Sequence, residues 1–214
     1  MLPAANACIP CWSSGDLGML PIGSVAIGIA REHYGKEHPG RSITSPREGS
    51  VSLKVLGIDP GTAACGYGIV HEKDGRLRAT CHGWWRTSPG ERVDRRLLTV
   101  FEGVSELISL HVPDAVALEE SYVGADARIA LSVGQARGAV LVAAASAGID
   151  CVEYAPSRVK QAVCGYGRAD KSQVQRMVKA ILALDELPSP DHAADALAVA
   201  ICHALAPPLL RLTG

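Results

Sequence analysis

Aromatic side chains are scarce. Phe, Trp and Tyr make up 4% of the 214 residues, so the core has to be built from Ala, Val, Leu and Ile, within a hydrophobic fraction of 48%. Neither charge is in excess. With 21 basic and 22 acidic residues the net charge is −1, which rules out an overall basic composition but leaves room for a local basic face. A paired cysteine framework is also missing. The seven cysteines stand at 8, 11, 65, 81, 151, 164 and 202, an odd and scattered set that suits a reducing cytoplasm better than a secreted disulfide scaffold. No apolar run approaches the roughly 18 residues needed to cross a bilayer. The most hydrophobic stretch, GAVLVAAASAG at 138–148, reads as a buried helix. The N-terminus shows no basic leader followed by an apolar segment and a cleavage site. These absences predict a soluble, cytoplasmic chain without membrane contact, long enough for one ordinary domain and some surplus.

Residues 1–52 carry the surplus. They are rich in Gly, Pro and Ser and hold no sustained period, so they read as a disordered extension with a short helical turn around 24–34. The alternative is translation from a start codon placed upstream of a native start at Val51 or Leu53. Cys8 and Cys11 form a lone C-x-x-C, with only His33 and His38 as distant further candidates, short of a zinc site.

From Leu53 the pattern becomes regular. LKVLGID and GYGIVHEK read as strands joined by PGTAAC, and RLRATCHGWWRT as a third strand after the hairpin turn KDGR. Residues 91–111 place Val93, Leu97, Val100, Val104, Leu107 and Ile108 on one helical stripe. DAVALEE is a fourth strand, 127–148 a helix rich in small residues and ended by Gly148, and DCVEYAP a fifth strand. Three more helices follow: SRVKQAVCG opened by Ser157, KSQVQRMVKAILALDE, and PDHAADALAVAICHAL. The order predicts an α/β fold with a mixed five-stranded sheet, an antiparallel meander followed by parallel strands, and helices on both faces.

Three carboxylates stand out by position. Asp59 ends the buried run VLGI, Glu119 closes AVAL, and Asp195 lies among alanines on the last helix. Burying a carboxylate beside apolar residues is costly unless it is paired or coordinates a metal, and oxygen ligands favour Mg²⁺ or Mn²⁺. Taken singly, the acids have structural explanations: Asp59 before Pro-Gly is turn chemistry, Glu119 could start a loop, and Asp191 could be a helix-start residue favoured by the dipole. The last helix poses its own question. Spacing pairs Asp191 with Asp195 at i,i+4 and His192 with Asp195 at i,i+3, and geometry alone chooses neither.

From about Leu53 to Leu205 the chain resembles the RuvC family of Holliday-junction resolvases, endonucleases of ribonuclease-H-like fold. The resemblance rests on LGIDPGTAACGYGIV, ALEESYV, LSVGQARGAVLVAAA, VKQAVCGYGRADKSQVQRMV and DHAADALAVAICH, in family order and spacing. It implies that Asp59, Glu119 and Asp195 are catalytic metal ligands. The remaining helix position falls on His192, as a ligand or a proton-transfer group, and leaves Asp191 as a helix-start residue. Tyr122 matches an aromatic position beside the opened junction, where a base can stack. Lys160 and Lys171 match basic positions near the scissile strand. Arg158 and Arg168 belong to the same segment, 156–180, where six basic residues face the single carboxylate of Asp170; a solvated face is the plain reading and phosphate contact the functional one.

The resemblance therefore implies a metal-dependent nuclease with two Mg²⁺ per subunit, Mn²⁺ as a substitute, and four-way junction DNA as substrate. Paired symmetric nicks with 5′-phosphate ends require two sites, hence a C2 homodimer, with helix 127–148 either at the interface or packed under the sheet. A branch-migration helicase of the RuvA and RuvB type is the implied further partner. Two rivals stand beside this reading: a catalytically silent junction-binding protein, and an actin-like or sugar-kinase ATPase built around DPGT.

Overall fold

The computed structural model describes residues 52–88, 90–120 and 127–207. The expectations for residues 1–51 and the position of Tyr122 lie outside the described residues. Five strands form one sheet in the order β3-β2-β1-β4-β5. β1 (Ser52–Asp59), β2 (Ala64–Lys73) and β3 (Arg76–Arg86) make the antiparallel meander. β4 (Ala115–Glu119) pairs parallel to β1, and β5 (Cys151–Tyr154) parallel to β4. The expected mixed sheet is present.

Alternation along β1 separates two cores, because neighbouring side chains point to opposite faces. Leu56 and Ile58 join Val100, Val104 and Leu107 of α1 (Val93–His111) and Val140 of α2 (Ala127–Ser146) on one face. On the other, Val55 and Ala117 meet α3 (Pro156–Cys164), α4 (Lys171–Leu182) and α5 (Asp191–Leu205). Helices thus cover both faces. The five cysteines among the described residues, at 65, 81, 151, 164 and 202, are free thiols.

Three local expectations need correction. α3 starts at Pro156 after Ala155, with no side-chain cap from Ser157; proline's fixed φ and missing N–H suit a first turn. α4 stops at Leu182 rather than running to 186, because Ala183 turns left-handed at φ 50°, a stop that no glycine announces. α2 is, against expectation, long and apolar enough by length and composition to cross a membrane, with a mean hydropathy of 1.4 over its window. Alanines and valines raise that mean. The same helix carries Arg137, ion-paired with Glu153 of β5, and buries Ala136, Val140, Ala143 and Ala144.

α5 lies close against the sheet because the strands beneath it offer glycine. A Cβ at Gly57 would strike the Ala196 carbonyl oxygen, and one at Gly66 the His192 carbonyl oxygen. These two approaches fix where the first turns of α5 sit over the ends of β1 and β2.

Candidate active site

One cross-strand row at the end of the sheet organises the site. Tyr154 pairs with Glu119, Asp59 pairs with Gly66, and Gly66 pairs with Trp84. Ile58 pairs with Leu118 one step earlier, so Asp59 and Glu119 end neighbouring parallel strands on the same face, about 4.8 Å apart at the backbone. α5 supplies the rest from above. His192 Nδ1 lies 2.7 Å from Asp59 Oδ2, and Asp195 Oδ2 lies 3.1 Å from Lys171 Nζ. The structure brings Asp59, Glu119, His192 and Asp195 to one place from β1, β4 and α5.

Asp191 faces elsewhere. Its carboxylate accepts from Gln175 at 2.7 Å and pairs with Lys171 at 3.3 Å. These contacts hold its pKa below the usual range, through the Gln175 hydrogen bond first and Lys171 second. At 59% side-chain exposure against 26% for Asp195, it is a surface residue on the first turn of α5. Both spacings in that turn are therefore used: Asp191 and Asp195 share one lysine, while His192 turns to Asp59.

The carboxylates repel one another. Burial, followed by the charges of Asp59 and Asp195, pushes Glu119 up to about 7, against the opposing pull of Lys160 and Lys171. Asp195 is raised by burial and by Asp59, with Lys171 opposing. Burial works against the Lys171 ammonium, yet Asp195 and Asp191 raise its pKa overall. Oxygen donors that destabilise one another in a half-buried site match the chemistry of a divalent cation. Among the described residues no group of three such side chains is arranged as ligands around one point. In this geometry Asp59 is bonded to His192 and Asp195 to Lys171.

Beside the carboxylates lies a cavity of about 200 Å³, where Glu119, Asp195, Lys160 and Lys171 meet the apolar side chains of Pro156, Val159, Val174 and Ala198. Lys160 and Lys171 thus border the acidic cluster. Arg158 does not join them: its guanidinium lies 5.8 Å from the Tyr154 ring centre, tying α3 to β5. Arg168 is exposed in the loop before α4.

A clamp on the turn after Asp59 escaped the sequence reading. Arg96, in the first turn of α1, donates from Nε to the Thr62 carbonyl at 3.2 Å and to Thr87 Oγ1 at 2.9 Å. Its Nη2 reaches Thr62 Oγ1 at 3.1 Å. Thr87 Oγ1 also donates to the Thr62 carbonyl, and Thr62 bonds Ser132 of α2. A cation at a helix N-terminus opposes the dipole, and these acceptors offset it. Only the misplaced charge could have signalled the clamp in advance.

Comparison with known proteins places the site in context. The family model described as crossover junction endodeoxyribonuclease RuvC matches residues 55–203. The crossover junction endodeoxyribonuclease RuvC of Moorella thermoacetica is 53% identical over 152 residues, covering 71% of this chain and 91% of that protein. The protein of the same name from Rubrobacter xylanophilus is 51% identical over 160 residues, with coverages of 75% and 89%. The solved structure of T. thermophilus RuvC in complex with a Holliday junction substrate matches with TM-score 0.69 and 42% identity, covering 71% of this chain and 93% of that one.

Proposed function

Because the chain belongs to the RuvC family of crossover junction endodeoxyribonucleases, we propose that it resolves four-way (Holliday) DNA junctions in recombination and repair by paired symmetric nicks that leave 5′-phosphate ends. The observation that carries the reading is the row itself: Asp59 and Glu119 end adjacent parallel strands, and α5 adds Asp195 and His192 above them. The nuclease domain is 53–214. The complete acidic set argues against a silent junction-binding protein.

Asp59, Glu119 and Asp195 would hold the divalent cations, two Mg²⁺ per subunit with Mn²⁺ as substitute, and burial together with their mutual repulsion favours taking them up. When bound, such ions stabilise charge on the attacking and leaving oxygens of a phosphodiester. His192 handles the proton. With Nδ1–H donated to Asp59 Oδ2, the ring presents Nε2 as an acceptor for a proton from the attacking water. Lys160 and Lys171 face the phosphate from the β4 side of Asp59, and Lys171 exchanges its bond to Asp195 for the substrate. Arg158 and Arg168 carry the basic face outward, and Tyr122 stacks a base of the opened junction.

Two nicks in symmetric strands require two copies, and α2 offers the surface. Leu131 and Val142 are 65% and 57% exposed and share one stripe with Gly138, where nothing stands within 4 Å of an added Cβ. A second α2 packed on this stripe gives the C2 dimer. Family membership also supports work beside a branch-migration helicase of the RuvA and RuvB type, in the cytoplasm. Incubating the purified chain with a synthetic four-way junction, with and without Mg²⁺ or Mn²⁺, tests the proposal. Metal-dependent paired nicks are expected; binding without nicking under either metal contradicts it.

A further inference from the structure

The row that holds the carboxylates continues past them to the open edge of the sheet. Asp59 pairs with Gly66 and Gly66 with Trp84. Partners across strands share a face, so the Trp84 indole stands on the face of Asp59 and His192. The Trp84 backbone is two interstrand spacings from that of Asp59, about 10 Å. The side-chain position between them is empty at Gly66 and is covered by the His192 carbonyl. Carboxylate, imidazole and indole therefore follow one another along a single line at the sheet's end.

Trp84 and its neighbour differ sharply. Trp85 points to the other face, where it stacks on Tyr67 with ring centres 4.6 Å apart and fits against Gly103. Trp84 is left 38% exposed on an edge strand. In a chain so poor in aromatics, packing already has Trp85 at this end of the sheet. Arg86 lies two residues on, on the same face, with its guanidinium 5.9 Å from the Trp84 ring centre. A partly exposed indole with a cation over its ring can serve as a stacking platform joined to a phosphate contact.

The lysines bordering the site, Lys160 and Lys171, lie on the Glu119 side of Asp59. Trp84 and Arg86 lie on the opposite side. We propose that Trp84 stacks an unpaired base of the DNA strand crossing Asp59, and that Arg86 holds the adjoining phosphate, on the flank opposite the two lysines. The proposal rests on the reading that four-way DNA is cut at this site. At 3.4 Å per stacked nucleotide, the platform serves a base within about three nucleotides of the cut.

The test uses the full chain and four-way junctions carrying 2-aminopurine at successive positions on both sides of the cut. Wild type should quench the probe on one side within that distance. Trp84→Ala should lose the quenching and weaken junction binding roughly five- to a hundredfold, the range for one lost base stack, with unchanged circular dichroism. Trp84→Phe should keep most of both. Arg86→Gln, on the exposed strand end, should lower the salt dependence of binding by about one phosphate contact, and it reads the site even if Trp84→Ala folds poorly. Quenching and affinity unchanged in Trp84→Ala overturn the inference, as does an equal loss in Trp84→Phe or an unaltered salt slope in Arg86→Gln. A wild-type chain that fails to bind four-way DNA overturns the functional reading itself.

Discussion

α2 and α5 are both built largely from alanine, valine and leucine, yet the molecule uses them in opposite ways. α5 buries eleven of its fifteen residues, Ala193 to Ala204 without Asp195, whereas α2 buries four of twenty. The difference lies in what each helix rests on. α5 lies on Gly57, Gly66 and Gly68, whose missing side chains admit its backbone and Leu197. α2 meets the larger side chains of α1 along one narrow stripe and leaves Leu131 and Val142 bare. Composition sets what a helix can do; the partner surface decides which of these it does. Burial of α5 holds His192 and Asp195 in place, while α2 leaves one face exposed.

The largest expected stability effect is at the buried helix. Leu197→Ala should cost about 2–5 kcal/mol, since Leu197 is fully buried over Gly68; thermal melting checks it. A loss under 1 kcal/mol would mean that α5 is not the rigid element described.

Glu119→Gln comes next. The folded-state pKa of Glu119 stands at about 7, above its ordinary 4.5, so the native state binds this proton more tightly than the unfolded chain. In the metal-free protein its contribution is most favourable below about 4.5, and is lost as pH rises to about 7. The slope is at most about 1.4 kcal/mol per pH unit, the value for one proton. Subtracting the Glu119→Gln stability curve from that of wild type isolates this slope, and identical curves would remove the burial and repulsion that raise Glu119 from the account.

Val142→Asp on the exposed helix should leave monomer stability within about 0.5 kcal/mol while halving the mass in sedimentation. An unchanged mass moves the interface away from α2. The smallest effect belongs to Asp191→Asn: an exposed pair with Lys171 is worth under about 1 kcal/mol, and junction cutting should survive it. Loss of cutting in that variant would return Asp191 to the site.

The sequence made much of this legible because the informative residues end short buried runs. Asp59 after VLGI and Glu119 after AVAL could be placed at strand ends, whereas the choice of His192 beside Asp195 came only from the resemblance to the RuvC family. What stayed hidden depends on contacts between distant segments. The Lys171 link between Asp191 and Asp195 needs α4 and α5 packed side by side, and the Arg96 clamp joins α1 to two separate turns. Trp84 gains meaning only once strand pairing sets it in line with Asp59. The ends of α3 and α4 differ from the sequence pattern for a local reason: Pro156 and Ala183 set them through backbone angles that no capping side chain marks.

The measurement that bears most directly on the central claim compares wild type with Asp59→Asn on one synthetic four-way junction in Mg²⁺, scoring nicks and binding in parallel. Wild type should make paired symmetric nicks, and Asp59→Asn should bind the junction with similar affinity while its cutting falls at least about a thousandfold, equivalent to about 4 kcal/mol in the barrier. Cutting by Asp59→Asn at the wild-type rate would contradict the assignment of the carboxylate row as the catalytic centre.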